Sequence, residues 1–160
     1  MIVEAEGDVL RAPVVAHVCD CVSVRPYGLG RLIALRHPWA DVYGQRMAYP
    51  GRNHAVRSAI PGTILVSQSK DRTFIHMFAQ VLPGKPGQFS LSYQGYDPDS
   101  FADRLDYFME CVRRIDKRFT EVAVPVNLGC VPGDGSWAFY RKVLEASPVR
   151  FILYHPSQPR

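Results

Sequence analysis

The sequence predicts an α/β fold, with a sheet that is at least partly parallel and helices on both of its faces. Three observations lead there. Short runs rich in β-branched residues recur along the whole chain. Segments with apolar residues at helical spacing lie between them. Gly-rich loops follow strand-like runs at 23–30, 83–87 and 129–135.

The strand-like runs begin with Ile2 to Ala5 and Val14 to Cys19. Leu32 to Tyr43 then reads as a helix whose Leu32, Ile33, Leu35 and Trp39 fall near one face, with Pro38 limiting or kinking it. Residues 44–61 read as loop, with Pro50-Gly51 and Pro61-Gly62 as turn markers. Strands follow at Thr63 to Ser67 and Thr73 to Gln80. The stretch VLPGKPGQFSLSYQGYDPD is a long Gly- and Pro-rich loop, a length that in a compact domain usually means function or motion. The strongest helix starts after a cap at Asp99 or Ser100 and repeats Phe101, Leu105, Phe108, Val112 and Ile115. Glu121 to Val126 reads as a buried strand, NLGCVPGDGSW as a turn into a helix over Trp137 to Glu145, and Val149 to Tyr154 as the last strand. The expected organisation is one domain over 1–155 with a tail at 156–160.

Composition narrows the function classes. Apolar residues make up 47% of the 160 and charged residues 21%, ordinary values for a globular chain with one core. The net charge of +4 is scattered, which argues against tract-type nucleic-acid binding and suits a small anionic ligand. No apolar run approaches membrane-spanning length and no leader pattern precedes the four cysteines, so the chain reads as cytoplasmic, monomeric, with reduced thiols and no membrane partner. Cys19 and Cys21 share a face of a strand and lack the close partners of a short-spaced zinc site, so core cysteines are expected and no metal or cofactor is implied. His17 reads as a satisfied core histidine by the same argument. In parallel sheets a ligand sits beyond the carboxyl ends of the strands, and Gly-rich loops there let backbone N–H groups approach a phosphate.

The residues also resemble a known family. EGDVL is similar to the opening Gly-Asp element of macrodomains, and HVCDC with YGLGRLIALRHPWADVY resembles their His-x-x-Asn-Cys strand, glycine loop and first helix. FIHMFAQ, VPVNLGCVPGDGSW and VRFILYHP resemble the later strand, closing loop and terminal strand, in the same order and nearly end to end. The resemblance is to the branch holding ADP-ribose-1''-phosphate phosphatases and terminal ADP-ribose glycohydrolases. It implies a three-layer α/β/α sandwich with a central mixed sheet. It also implies a ligand, ADP-ribose or a derivative, carried free or on protein or nucleic acid. Asp8, with Val9 beside it, would take the adenine amino group. The first loop, through Asp20, Arg25, Tyr27, Gly28 and Leu29, would surround the distal ribose and one phosphate. Gly129, Cys130, Val131, Pro132, Gly133, Asp134 and Gly135 would wrap the diphosphate.

Several residues depart from that pattern. Asp20 stands where Asn is usual; an ionised carboxylate accepts but cannot donate, so it suits a ribose hydroxyl or a general base and repels a terminal phosphate. Arg25, Pro26 and Tyr27 replace small residues, and Gly30 replaces Ala. Either Arg25 pairs with phosphate and Tyr27 covers the ribose, or the loop is narrowed. Gln80 occupies the position of one branch's catalytic lysine and cannot act as its nucleophile; Lys85 lies nearby at the wrong spacing. Asp134 is either next to that branch's acid or a turn residue between glycines. Phe89, Tyr93 and Tyr96 either cover the ligand or pack on the scaffold; Asn127 reads as pocket wall or core. Three functions follow: hydrolysis of an ADP-ribosyl ester or of the 1''-phosphate, with Asp20 or Asp134 as base; non-catalytic binding of ADP-ribose-type ligands; or a fold retained for protein–protein or structural roles.

Overall fold

The computed structural model describes residues 1–88, 95–131 and 133–157. Among these, six strands form one sheet: β1 (Ile2–Glu6), β2 (Val14–Asp20), β3 (Ile64–Gln68), β4 (Thr73–Gln80), β5 (Glu121–Pro125) and β6 (Arg150–His155). The order across the sheet is β1-β6-β5-β2-β4-β3. All neighbours are parallel except β3 and β4, which pair antiparallel at one edge. The sheet is therefore mixed, because the Ser69–Arg72 turn joins β3 directly to β4, while β1 to β2, β4 to β5 and β5 to β6 are crossovers between parallel strands.

Strand alternation sorts the side chains to two faces. Ala16, Ile75, Met77, Val122, Val124 and Leu153 pack under α2 (Phe101–Asp116) and α3 (Ser136–Ala146). Val15, Phe74 and Ala123 face α1 (Gly28–Arg36) and the 3₁₀ turns at Val9–Arg11 and Pro38–Ala40. The result is the expected α/β/α sandwich. On α2, Phe108, Val112 and Ile115 are buried and Phe101 and Leu105 partly so; each full burial is worth about 1.5–3 kcal/mol.

The first helix departs from its sequence reading. It starts at Gly28 and ends at Arg36, because Pro38 disfavours helical backbone at His37 and cannot donate to the helix. Of its apolar residues only Ile33 is fully buried, while Leu32 and Leu35 are 44% and 68% exposed. Trp39, on the following turn, instead lies against Phe74.

The cap of α2 divides two roles between neighbouring residues. Ser100 is the cap, its hydroxyl accepting from Asp103 N–H while the Asp103 carboxylate accepts from Ser100 N–H. Asp99 is a buried anchor. It accepts from Val81 N–H at 2.8 Å and Leu82 N–H at 3.2 Å, and from Arg104 Nε and Nη2 at 2.9 and 2.8 Å. Arg104 in turn donates to the carbonyls of Gly84 and Leu82 at 2.9 and 3.1 Å. One bidentate pair thus ties the exit of β4 to the first turn of α2.

Replacing Arg104 with Met strands the Asp99 carboxylate, and urea unfolding should register a loss of about 3–5 kcal/mol. Arg113→Ala, which removes only an exposed i,i+3 pair with Glu110, should cost less than about 1 kcal/mol in the same assay.

Candidate functional site

The carboxyl ends of β2, β4, β5 and β6 open into a continuous cleft. Its centre is a cavity of about 500 Å³, walled by His17 and Val18 of β2, Gln80 of β4, Tyr27 and Leu29 at the start of α1, and Gly129 after β5. Through Leu29 and Pro125 it continues into a second hollow of about 400 Å³ beside Asp8, Val9 and Tyr154. On the other side it shares Gln80 and Gly129 with a small recess that reaches Cys130 and Asp134. The strands place these residues together because all four end on the same edge.

At the Asp8 end, the carboxylate accepts from Leu10 N–H at 3.0 Å and from Arg36 at 2.7 Å. The hydrogen bond from Arg36 holds its pKa below the ordinary carboxylate value. The group remains partly exposed and charged, and lines the hollow together with Tyr154.

At the centre, Asp20 is fully buried behind the cavity wall. Its Oδ1 accepts from Val22 and Ser23 N–H at 2.9 and 2.7 Å and lies 3.7 Å from Arg46. Its Oδ2 accepts from the Tyr27 hydroxyl at 2.8 Å. Arg46 also donates to the carbonyls of Asp20 and Ser23 and stacks over Tyr43 and Phe78. Tyr27 therefore stands between Asp20 and the cavity, its own hydroxyl held protonated by burial and by the Asp20 charge. Gln80 donates to Leu82 O at 2.9 Å and reaches the Tyr27 hydroxyl at 3.5 Å.

Tyr43 accounts for Gly30. A Cβ at Gly30 would lie 2.9 Å from the Tyr43 ring, and Tyr43 is buried with its hydroxyl accepting from Asp20 N–H. The ring fills the space an alanine would use. Gly129 is as constrained: its φ is +79° and a Cβ would meet Val18 at 3.0 Å.

The other expected residues are dispersed around this centre. Arg25 is exposed, its N–H donating with that of Val24 to Asn53 Oδ1, and it is not among the residues that line the central cavity, the Asp8 hollow or the small recess. Gly28, Leu29 and Val131 line the cavity; Cys130 lies in the small recess. Asp134 is exposed, its Oδ1 accepting from Ser136 N–H and Oγ at the start of α3, which lowers its pKa. Within the second loop the N–H groups of Cys130 and Asp134 bond to carbonyls of that loop, while Gly133 and Gly135 turn with positive φ. Pro132, Phe89 and Tyr93 lie outside the described residues. Tyr96 packs against the core that contains Cys19 and Cys21 and bonds to His54. Cys19 and Cys21 are both fully buried, and burial pushes the Cys21 thiol up to about 12.

Sequence reading missed His17, Tyr43, Arg46 and Tyr154 as parts of this region. His17 and Tyr154 carried a signal, being polar or amphipathic residues on strands that end at the Gly-rich edge. Arg46 sat in a stretch with no periodicity and carried none.

No family model and no curated protein matches the chain. Solved structures do. The macrodomain of Thermus aquaticus DarG is 20% identical with a TM-score of 0.63, the match covering 98% of this chain and 99% of that one. A macrodomain protein from Streptomyces coelicolor is 14% identical, with a TM-score of 0.59 and coverage of 97% and 99%. A protein from Bacteroides thetaiotaomicron is 14% identical, with a TM-score of 0.64 and coverage of 98% and 100%.

Gly30→Ala should destabilise the fold by about 1–3 kcal/mol through overpacking against Tyr43, although Ala is otherwise the better helix residue. Tyr43→Leu in the same chain should return part of that loss, measured by thermal and urea unfolding. Tyr27→Phe removes a hydrogen bond to a buried carboxylate and should cost about 1.5–3 kcal/mol.

Proposed function

Taking the macrodomain fold of this chain as the premise, we propose that the cleft binds ADP-ribose or a close derivative and reads it without turnover. The observation that carries this is the shape of the cleft: one continuous hollow along the carboxyl edge of the sheet, with a charged carboxylate at one end and a Tyr–Asp pair at the other. Asp8 accepts from the adenine amino group there, with Val9 and Tyr154 beside the base. Gly28, Leu29, Gly129 and Val131 line the path of the diphosphate. The distal ribose meets Tyr27 and Gln80.

Chemistry favours binding over hydrolysis. A general base needs a free lone pair aimed at a water in the cavity. Both oxygens of Asp20 already accept hydrogen bonds, and Tyr27 separates it from the cavity. Asp134 spends Oδ1 on the start of α3 and sits outside the central cavity. Gln80 is not a nucleophile. A hydrolytic reading keeps one supporting observation: Oδ2 of Asp20 becomes a carboxylate at the ribose end if the Tyr27 hydroxyl swings away.

Calorimetric titration with ADP-ribose tests the shared premise; heat and a thermal shift support it, and their absence at millimolar ligand rejects it. Asp8→Ala should weaken binding roughly 10- to 100-fold, the loss expected for a hydrogen bond to a charged group. Unchanged affinity would remove Asp8 from the adenine site. Incubation with ADP-ribose-1''-phosphate and with ADP-ribosylated protein or DNA separates the two readings: no turnover with intact binding is expected, and turnover lost in Asp20→Asn would establish hydrolysis instead.

A further inference from the structure

We propose that His17, Cys19 and His76 form a site for a zinc-class divalent cation on the sheet face beneath α1, at the wall of the central cavity. The proposal does not depend on the identity of the organic ligand.

The backbone makes the cluster. β2 and β4 are parallel and in register, with His17 directly opposite His76. Cys19 follows His17 by two residues and so projects from the same face. Facing ligand atoms of the three side chains lie within 4.8 Å of one another, and all three residues are buried. His17 Nε2 is 2.7 Å from His76 Nδ1 and 3.5 Å from Cys19 Sγ. Zinc–nitrogen and zinc–sulfur bonds at tetrahedral angles place ligand atoms about 3.3 Å (N to N) and about 3.6 Å (N to S) apart. The N-to-S distance is of this size, and because Sγ also lies 3.6 Å from His17 Nδ1 the His17 ring must turn to aim Nε2 at a shared cation. The two imidazoles must part by roughly half an ångström, and Cys19 Sγ must close on His76, movements of the size a side-chain rotation supplies.

The surroundings support ligation. Ser67 Oγ lies 2.9 Å from His76 Nε2. Such a partner on the far nitrogen leaves Nδ1 facing inward and orients the ring, the role outer-shell groups play at metal sites. His17 belongs both to the cluster and to the wall of the cavity, so the fourth coordination position falls to water or to a cavity ligand. The Arg46 guanidinium works against a nearby cation, and its pairing with Asp20 offsets that repulsion. On binding, the Cys19 thiol loses its proton to solvent and forms the metal–sulfur bond. The proton between the imidazoles moves to His17 Nδ1, beside Cys19 Sγ. The net release is one proton per cation.

Sequence spacing hides this donor set, because His17 and His76 are 59 residues apart. It joins a cavity-wall histidine to two residues otherwise explained only as core.

The test is titration of the chelator-stripped full chain with cobalt(II). One equivalent should give the near-ultraviolet thiolate-to-cobalt charge-transfer band with tetrahedral d–d bands, and zinc should abolish both by displacement. Cys19→Ser should lose the charge-transfer band. Ser67→Ala, outside the donor set, should weaken cobalt binding about 10- to 100-fold while keeping the band at saturation. Absence of a band in the unmodified chain overturns the proposal, as does a band that survives in Cys19→Ser. If Cys19→Ser does not fold, by circular dichroism, Ser67→Ala decides: unchanged affinity overturns the site, and the stated weakening supports it.

Discussion

The buried pair between Asp99 and Arg104 holds the working edge of this protein together. A buried ion pair contributes little net stability by itself, because desolvation takes back most of the Coulombic gain. Its effect here is positional. Asp99 receives the backbone N–H groups of Val81 and Leu82 as the chain leaves β4, and Arg104 gathers the carbonyls of Leu82 and Gly84 in the loop just beyond. That loop contributes Gly84 and Lys85 to the cavity wall. Gln80, at the end of β4, is then held between the loop it bonds to and the Tyr27 hydroxyl. Without the pair, the unpaired polar groups of the loop would have to find water, and one wall of the cleft would go with them.

A second buried carboxylate organises the opposite wall. Asp20 closes its own loop through Val22 and Ser23, binds Tyr27, and is flanked by Arg46. The bulky Arg25-Pro26-Tyr27 segment is therefore not a relaxed version of a small-residue loop. It is stitched to Asn53 at its start and to Asp20 at its end. Gly30 and Tyr43 are complementary in the same sense: the residue lost from the helix is replaced in volume by a ring from the following loop. Departures at Asp20, Tyr27 and Gly30 are thus one coupled arrangement rather than three separate changes.

Sequence reading located most of the frame and about half of the cleft. All six strand-like runs lie within a residue or so of β1 to β6, because β-branched runs bounded by Gly and Pro leave few alternatives. The α2 helix was legible from its apolar spacing and its cap. The first helix was not, because its apolar residues are mostly solvent-facing and Pro38 moved its end. Gly28, Leu29, Gln80 and Gly129 were legible as cavity residues because they sit where strands meet Gly-rich loops. Arg104 was not legible as a core residue, since an arginine on an amphipathic helix reads as solvated until its partner is known.

The sequence alone determined the α/β class, the edge on which the Gly-rich loops gather and the residues that depart from the resemblance, because strand period, helix period and glycine placement are local properties of the chain. The tertiary structure decided which polar groups are spent on each other. Asp20 with Tyr27 and His17 with His76 are pairs drawn from different elements, and Asp99 with Arg104, five residues apart, is buried because α2 docks on the exit of β4. Whether a carboxylate is a free base or a buried acceptor, and whether a histidine is isolated or one of a cluster, depends on distances across the sheet and between loops that no local pattern encodes.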